Sequence, residues 1–167
     1  RRSQPISAII TNPDADEKLK HSLTKVIQMR EFASRTLKLP DNLSYTSYAD
    51  LERPFVVWNV FASPELSLKL KEWCFVQAGC VNYRGFFSQA KAEEYAQELR
   101  NEGYDVYVGG VRAYSTLGWF SDPVLNTFIS YSEMNLARLI FHELAHQVVY
   151  VPGDSIFNES FATAVEH

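Results

Sequence analysis

The chain has 167 residues, 46% of them apolar and 14% aromatic, which describes a globular protein with enough length for one core and excludes a disordered one. A formal net charge of −4 argues against nucleic acid or an anionic membrane surface as the main partner. No stretch approaches the roughly 18 uninterrupted apolar residues of a membrane-spanning helix, and there is no low-complexity tract, charge run or internal repeat. Residues 1–167 therefore read as a single domain.

The opening Arg-Arg-Ser-Gln-Pro has neither a Met nor a signal-type apolar run, and the chain stops inside an expected helix, which fits a processed or trimmed catalytic fragment. Ser3 to Asn12 is a short apolar docking segment. Asp14 is the expected N-cap of a first long helix, with Asp16 and Glu17 suiting its N-terminus. Leu19, Leu23, Val26, Ile27, Arg30, Ala33 and Leu37 keep a helical period to about Lys38, and Pro40-Asp41-Asn42 follows as a stop. His21 on this helix reads as a solvated residue rather than a ligand.

From Tyr45 to Tyr83 the pattern turns to strands, of which Phe55 to Ala62 is the strongest. Cys74 and Cys80, the two cysteines, flank an expected bend at Gln77-Ala78-Gly79; buried thiols and a disulfide are both compatible with that spacing. Ser88 caps a second helix that Gly103 ends. Tyr104 to Phe120 reads as a strand, a bend at Gly109-Gly110 and a second extended piece. Arg112 to Gly118 is a candidate edge strand for pairing with a substrate backbone, with an ordinary edge strand as its bland alternative.

Ser132 and Glu133 start a helix whose apolar face is Leu136, Leu139, Ile140, Leu144 and Val148. On it lies His142-Glu143-Leu144-Ala145-His146, an H-E-x-x-H motif. Histidines four residues apart share one helical face, so both imidazoles can reach one metal ion, and Glu143 stands where a base would take a proton from a metal-bound water. After a Pro-Gly-Asp turn, Glu159 on a further apolar-periodic segment offers the third ligand and leaves a fourth position open. Two surface histidines without a metal are the bland alternative. Thr163, and less directly Glu166, could orient a ligand. Tyr114, Tyr131 and Tyr150 are candidate oxyanion donors. Asp122, Asp154 and Glu133 are candidates for holding a substrate α-amine.

HELAH followed by FNESFAT resembles the gluzincins, zinc peptidases whose third ligand is a Glu on the next helix, and the NE-x-FA element resembles that of the zinc aminopeptidases. SYADL, VVWNVFA, WCFVQAGCVNYRGFF, EGYDVYVGGVRAYSTLGWFSDPVL and LARLIFHELAHQVVYV resemble a bacterial family of predicted aminopeptidases, over most of the chain. The resemblance implies one Zn2+ per chain on His142, His146 and Glu159, Glu143 as general base, and a peptide or protein substrate. It also implies a cell-envelope or periplasmic setting, lipid-anchored in longer relatives, which favours the Cys74–Cys80 disulfide; a cytoplasmic setting is the alternative. Relatives continue past the end of this chain, so an oxyanion donor downstream of Glu159 falls outside it. The expected fold is α+β and zincin-like, a mixed or antiparallel sheet of about four or five strands with the H-E-x-x-H helix packed beneath it. The rival functions are a zincin-fold scaffold with a structural or inactive metal site and a hydrolase of cell-wall peptide amides.

Overall fold

In the computed structural model, residues 3–75 and 79–167 are described. The elements follow as β1 (Gln4–Pro5), α1 (Ile6–Thr11), α2 (Glu17–Arg35), β2 (Ser47–Ala49), β3 (Val57–Pro64), β4 (Trp73–Phe75), β5 (Gly79–Val81), β6 (Arg84–Phe86), α3 (Gln89–Asn101), β7 (Tyr104–Val111), β8 (Val124–Leu125), α4 (Glu133–His146) and α5 (Ser155–Glu166). Helices and strands are thus mixed in an α+β chain. In place of one sheet of four or five strands there are, among the described residues, sheets in the orders β1-β2-β8, β6-β3-β7 and β4-β5. The chain divides into two compact units, Arg1–Glu52 with Ser115–His167, and Arg53–Tyr114.

The unit Arg53–Tyr114 is a small sheet covered by one helix. Along β3 the side chains alternate, so Trp58, Val60 and Ala62 face inward onto Ala92, Ala96 and Leu99 of α3. Large residues on the sheet meet mostly alanines on the helix, which lets the two layers approach closely. Burying side chains the size of Trp58, Val60 and Leu99 contributes about 1.5–3 kcal/mol each. Ser88 caps α3 by accepting from the Lys91 N–H, and Gly103 follows it at φ 87°, both as the sequence indicates.

No bend occurs at Gly109-Gly110. Strand β7 pairs with β3 residue by residue from Val57 opposite Val111 to Pro64 opposite Tyr104, passing straight through both glycines. The reason is packing: a Cβ on Gly110 would lie 2.4 Å from the Phe55 ring, which itself meets Trp58 edge-on at 6.0 Å. Gly110 therefore makes room for an aromatic ring against the backbone. Cys74 and Cys80 face each other across the β4–β5 ladder and form a disulfide. The expected bend at Gln77-Ala78 lies outside the described residues.

The other unit carries the helices of the metal motif. Asp16, not Asp14, caps α2 by accepting from the Leu19 N–H at 2.8 Å, because the Asp14 N–H is already turned onto Asn12 Oδ1 at 3.0 Å. The helix ends at Arg35 rather than near Lys38; left-handed Lys38 (φ 58°) reverses the chain and Leu39 N–H returns to the Ala33 carbonyl at 3.0 Å. Leu23, Val26, Met29 and Ala33 of α2 and Leu136, Ile140 and Leu144 of α4 are buried, and the two helices pack together, with Phe32 and Phe141 rings 5.9 Å apart. Arg112 to Gly118 is not a strand. It leaves β7 as an extended loop and closes in a turn with Leu117 at φ 54° and Gly118 at φ 82°. Among the described residues no helix is long and apolar enough to cross a membrane.

Replacing Gly110 with Ala is expected to destabilise the protein by about 1–3 kcal/mol through overpacking against Phe55. Urea melts should show that the loss shrinks in the Phe55→Ala background, since the two residues share one contact.

Candidate metal centre

Helix α4 begins where Ser132 Oγ accepts from the Asn135 N–H at 3.4 Å, with Glu133 favouring the positive end of the helix. Fourteen residues later it ends on His146. Its buried stripe turns Leu136, Ile140 and Leu144 inward and leaves the imidazoles of His142 and His146 beside one another, ring centroids 4.7 Å apart and nearly perpendicular. Helix α5 starts when the Asp154 carboxylate accepts from the Phe157 N–H, just after Gly153 in a left-handed turn.

The angle between these helices is set by a residue that sequence reasoning passed over. Asn158, only 2% exposed, accepts from Val151 N–H at 2.8 Å and donates to Val151 O at 2.9 Å. A single side chain thus mimics a backbone partner for the connecting segment, and the next residue, Glu159, is delivered to the histidines. Its signal in the sequence was position alone, immediately before the expected ligand.

Three ligand-type atoms converge. His142 Nε2 lies 3.1 Å from His146 Nε2 and 3.1 Å from Glu159 Oε2, and His146 Nε2 lies 3.5 Å from Glu159 Oε1. Ligands at about 2.0–2.1 Å from a tetrahedral ion stand about 3.3 Å from each other; these contacts, which use both Glu159 oxygens, are near that spacing, and one atom from each residue lies within 4.8 Å of the other two. The imidazoles are largely covered, while Glu159 is 64% exposed at its side chain, so the group opens to solvent on the carboxylate side. His142 Nδ1 is held by Glu166 Oε2 at 2.9 Å, which aims the ring and leaves Nε2 toward the cluster. Thr163 is exposed and Glu166 takes that orienting role; it sits two helical turns beyond Glu159, on the same face. His146 has no such support: its buried Nδ1 has no hydrogen-bond partner. Burial and the neighbouring His142 hold His146 below the ordinary imidazole range, toward the neutral form that a metal requires.

Glu143 lies between the two histidines in sequence, and burial raises its carboxyl above the usual range; His142 and a hydrogen bond from Ser115 work in the opposite direction. Tyr45, 3% exposed, is raised well above its ordinary value by burial first and by the Glu143 charge second, with Ser115 again as a hydrogen-bond partner. Tyr45 and Ser115 were missed because each lies far from the motif in sequence and neither belongs to a recognisable pattern.

Of the other expected residues, Tyr150 alone is seen against one of these histidines. Tyr150 meets the His146 ring edge-on at 6.2 Å. Tyr131 precedes the far end of α4, about 20 Å along the axis from His146, and Tyr114 closes the other compact unit. Asp122 accepts from Thr116 N–H and Oγ1 at 2.8 and 3.0 Å, Asp154 caps α5, and Glu133 pairs with Lys25 at 3.4 Å, so all three acids already have structural partners. His21 is exposed on α2.

No curated protein and no solved structure matches the chain. A family described as "Putative aminopeptidase" matches it over residues 1–167. Among its described residues His142, His146 and Glu159 form a group that could hold a metal ion, and the chain as a whole belongs to this family.

Proposed function

We propose that the protein is a zinc-dependent peptidase of the gluzincin type, hydrolysing peptide bonds and acting as an aminopeptidase in keeping with its family. One observation carries the reading: three ligand-type atoms from two helices stand at coordination spacing with a half-buried glutamate beside them. Two imidazoles and a carboxylate suit zinc and would leave a fourth position for water or substrate.

Bound there, zinc would supply Lewis acidity and a water more acidic than bulk. The chain's own residues do the rest. His142 and His146 present their Nε2 atoms, the first aimed by Glu166 and the second held toward the neutral form by burial. Glu143 takes the proton of the attacking water and delivers it to the leaving amine; its raised affinity for a proton suits both halves of that exchange. The Cys74–Cys80 disulfide supports an oxidising setting such as a bacterial cell envelope over the cytoplasm.

Elemental analysis should find one zinc per chain in native protein and none in His146→Ala. Glu143→Ala should keep its zinc while hydrolysis of a peptide library falls about 10²–10⁴-fold; zinc-loaded protein that cuts no peptide would remove the peptidase reading and leave a scaffold. Glu166→Ala should weaken zinc binding about 10–100-fold, measured against a competing chelator.

Chelated protein offers a test by pH. Because the folded Glu143 carboxyl is raised, its effect on stability is absent below the ordinary value of 4.5 and turns unfavourable as pH rises through the folded value. Glu143→Gln should therefore melt above the wild type at pH 7 without metal, with the gap closing as pH falls toward 4.5.

A further inference from the structure

The two histidines are positioned by different means. His142 is steered through its ring by Glu166, whereas His146 Nδ1 is buried without a partner. His146 is also the last residue of α4, at a helix end where backbone bonds are fewest. Nothing on Nδ1 fixes its direction as Glu166 fixes that of His142.

The next residue supplies a tie. Gln147 Oε1 accepts from Asn42 Nδ2 at 2.7 Å, and Gln147 Nε2 donates to Ser44 Oγ at 3.4 Å, contacts that span more than half the chain. Its stem lies against Gly118, where a Cβ would stand 3.3 Å from Gln147 Cγ and Cδ. The segment that receives Gln147 is itself anchored. Arg30, 6% exposed, donates through Nη2 to Pro40 O at 3.2 Å and Asn42 O at 2.9 Å; Asn42 Oδ1 accepts from Ser44 N–H at 3.0 Å; Tyr45 N–H reaches Asp122 O at 2.6 Å. A buried arginine thus holds a turn, the turn holds an amide, and the amide holds the end of the metal helix.

We infer that Gln147 is the positioning residue for His146: through Asn42 it fixes the end of α4 and so aims an imidazole whose Nδ1 has no hydrogen-bond partner. This rests on the metal reading above, and the test separates the two. Zinc affinity is measured by chelator competition in Gln147→Ala, Asn42→Ala, the double variant and Gln147→Glu, which keeps the acceptor for Asn42. Gln147→Ala and Asn42→Ala should each weaken zinc about tenfold or more, as loss of a group supporting a ligand does. The double variant should be no worse than either single one, and Gln147→Glu should stay within about threefold of wild type. In parallel, the His146 ring resonances of the chelated protein should shift or broaden in Gln147→Ala and remain in place in Gln147→Glu. Zinc affinity unchanged in both alanine variants, with the His146 resonances unmoved, would overturn the proposal. If wild-type protein takes up no zinc, the metal reading falls by itself, and the ring resonances still decide whether Gln147 aims His146. Should Gln147→Ala fail to fold, Asn42→Ala interrogates the same hydrogen bond from its other end.

Discussion

The arrangement depends on how α5 crosses α4. Neither helix contains a complete site: α4 contributes two imidazoles on one face, and α5 contributes the carboxylates. Their meeting is governed by a buried amide, Asn158, that occupies both the N–H and the C=O of Val151. Left without Val151, the buried Asn158 amide would lose both its partners at about 1–3 kcal/mol, so the connecting segment has little freedom to change path. The approach of Glu159 to the histidines follows from that constraint, whereas the 3.1 Å between the two imidazole nitrogens follows from their shared face on α4 and gains nothing unless a proton or a cation lies between.

The remainder of this unit supports the same end. The buried face of α2 packs against α4, and the loop from Ser115 to Asp122 is braced internally by the Asp122 carboxylate on Thr116. That bracing places Ser115 where it can hydrogen-bond both Glu143 and Tyr45. The unit Arg53–Tyr114 follows a separate logic, a strand pair and a helix sharing one apolar cluster and a disulfide at one side.

Much of this was legible from residue order. Ser132 and Ser88 as caps, Gly103 as a stop and the shared face of His142 and His146 are local matters, decided within a turn or two of helix. What escaped was decided at a distance. Gly109-Gly110 has the composition of a bend, yet the Phe55 ring and a full ladder to β3 keep it straight. Asp14 and Asp16 are equally good caps by residue type, and an Asx turn at Asn12 chooses between them. Asn42 and Gln147 carry no pattern at all, because their relation exists only after the chain has folded. The grouping of His142, His146 and Glu159 was readable for the opposite reason: a shared helical face and a carboxylate on the next helix are set by residue type and spacing.

Helix α5 has 12 residues, too few to hold helical form alone in water. Its order is borrowed from α4, and both of its carboxylates touch His142. A cation shared by the two helices would therefore be bound by a segment that it also helps to fold, and its measured affinity would include the free energy of ordering that segment. Occupancy and local order then become one equilibrium: amide protection along α5 would report the ion, and fraying of α5 would be the route by which the ion departs.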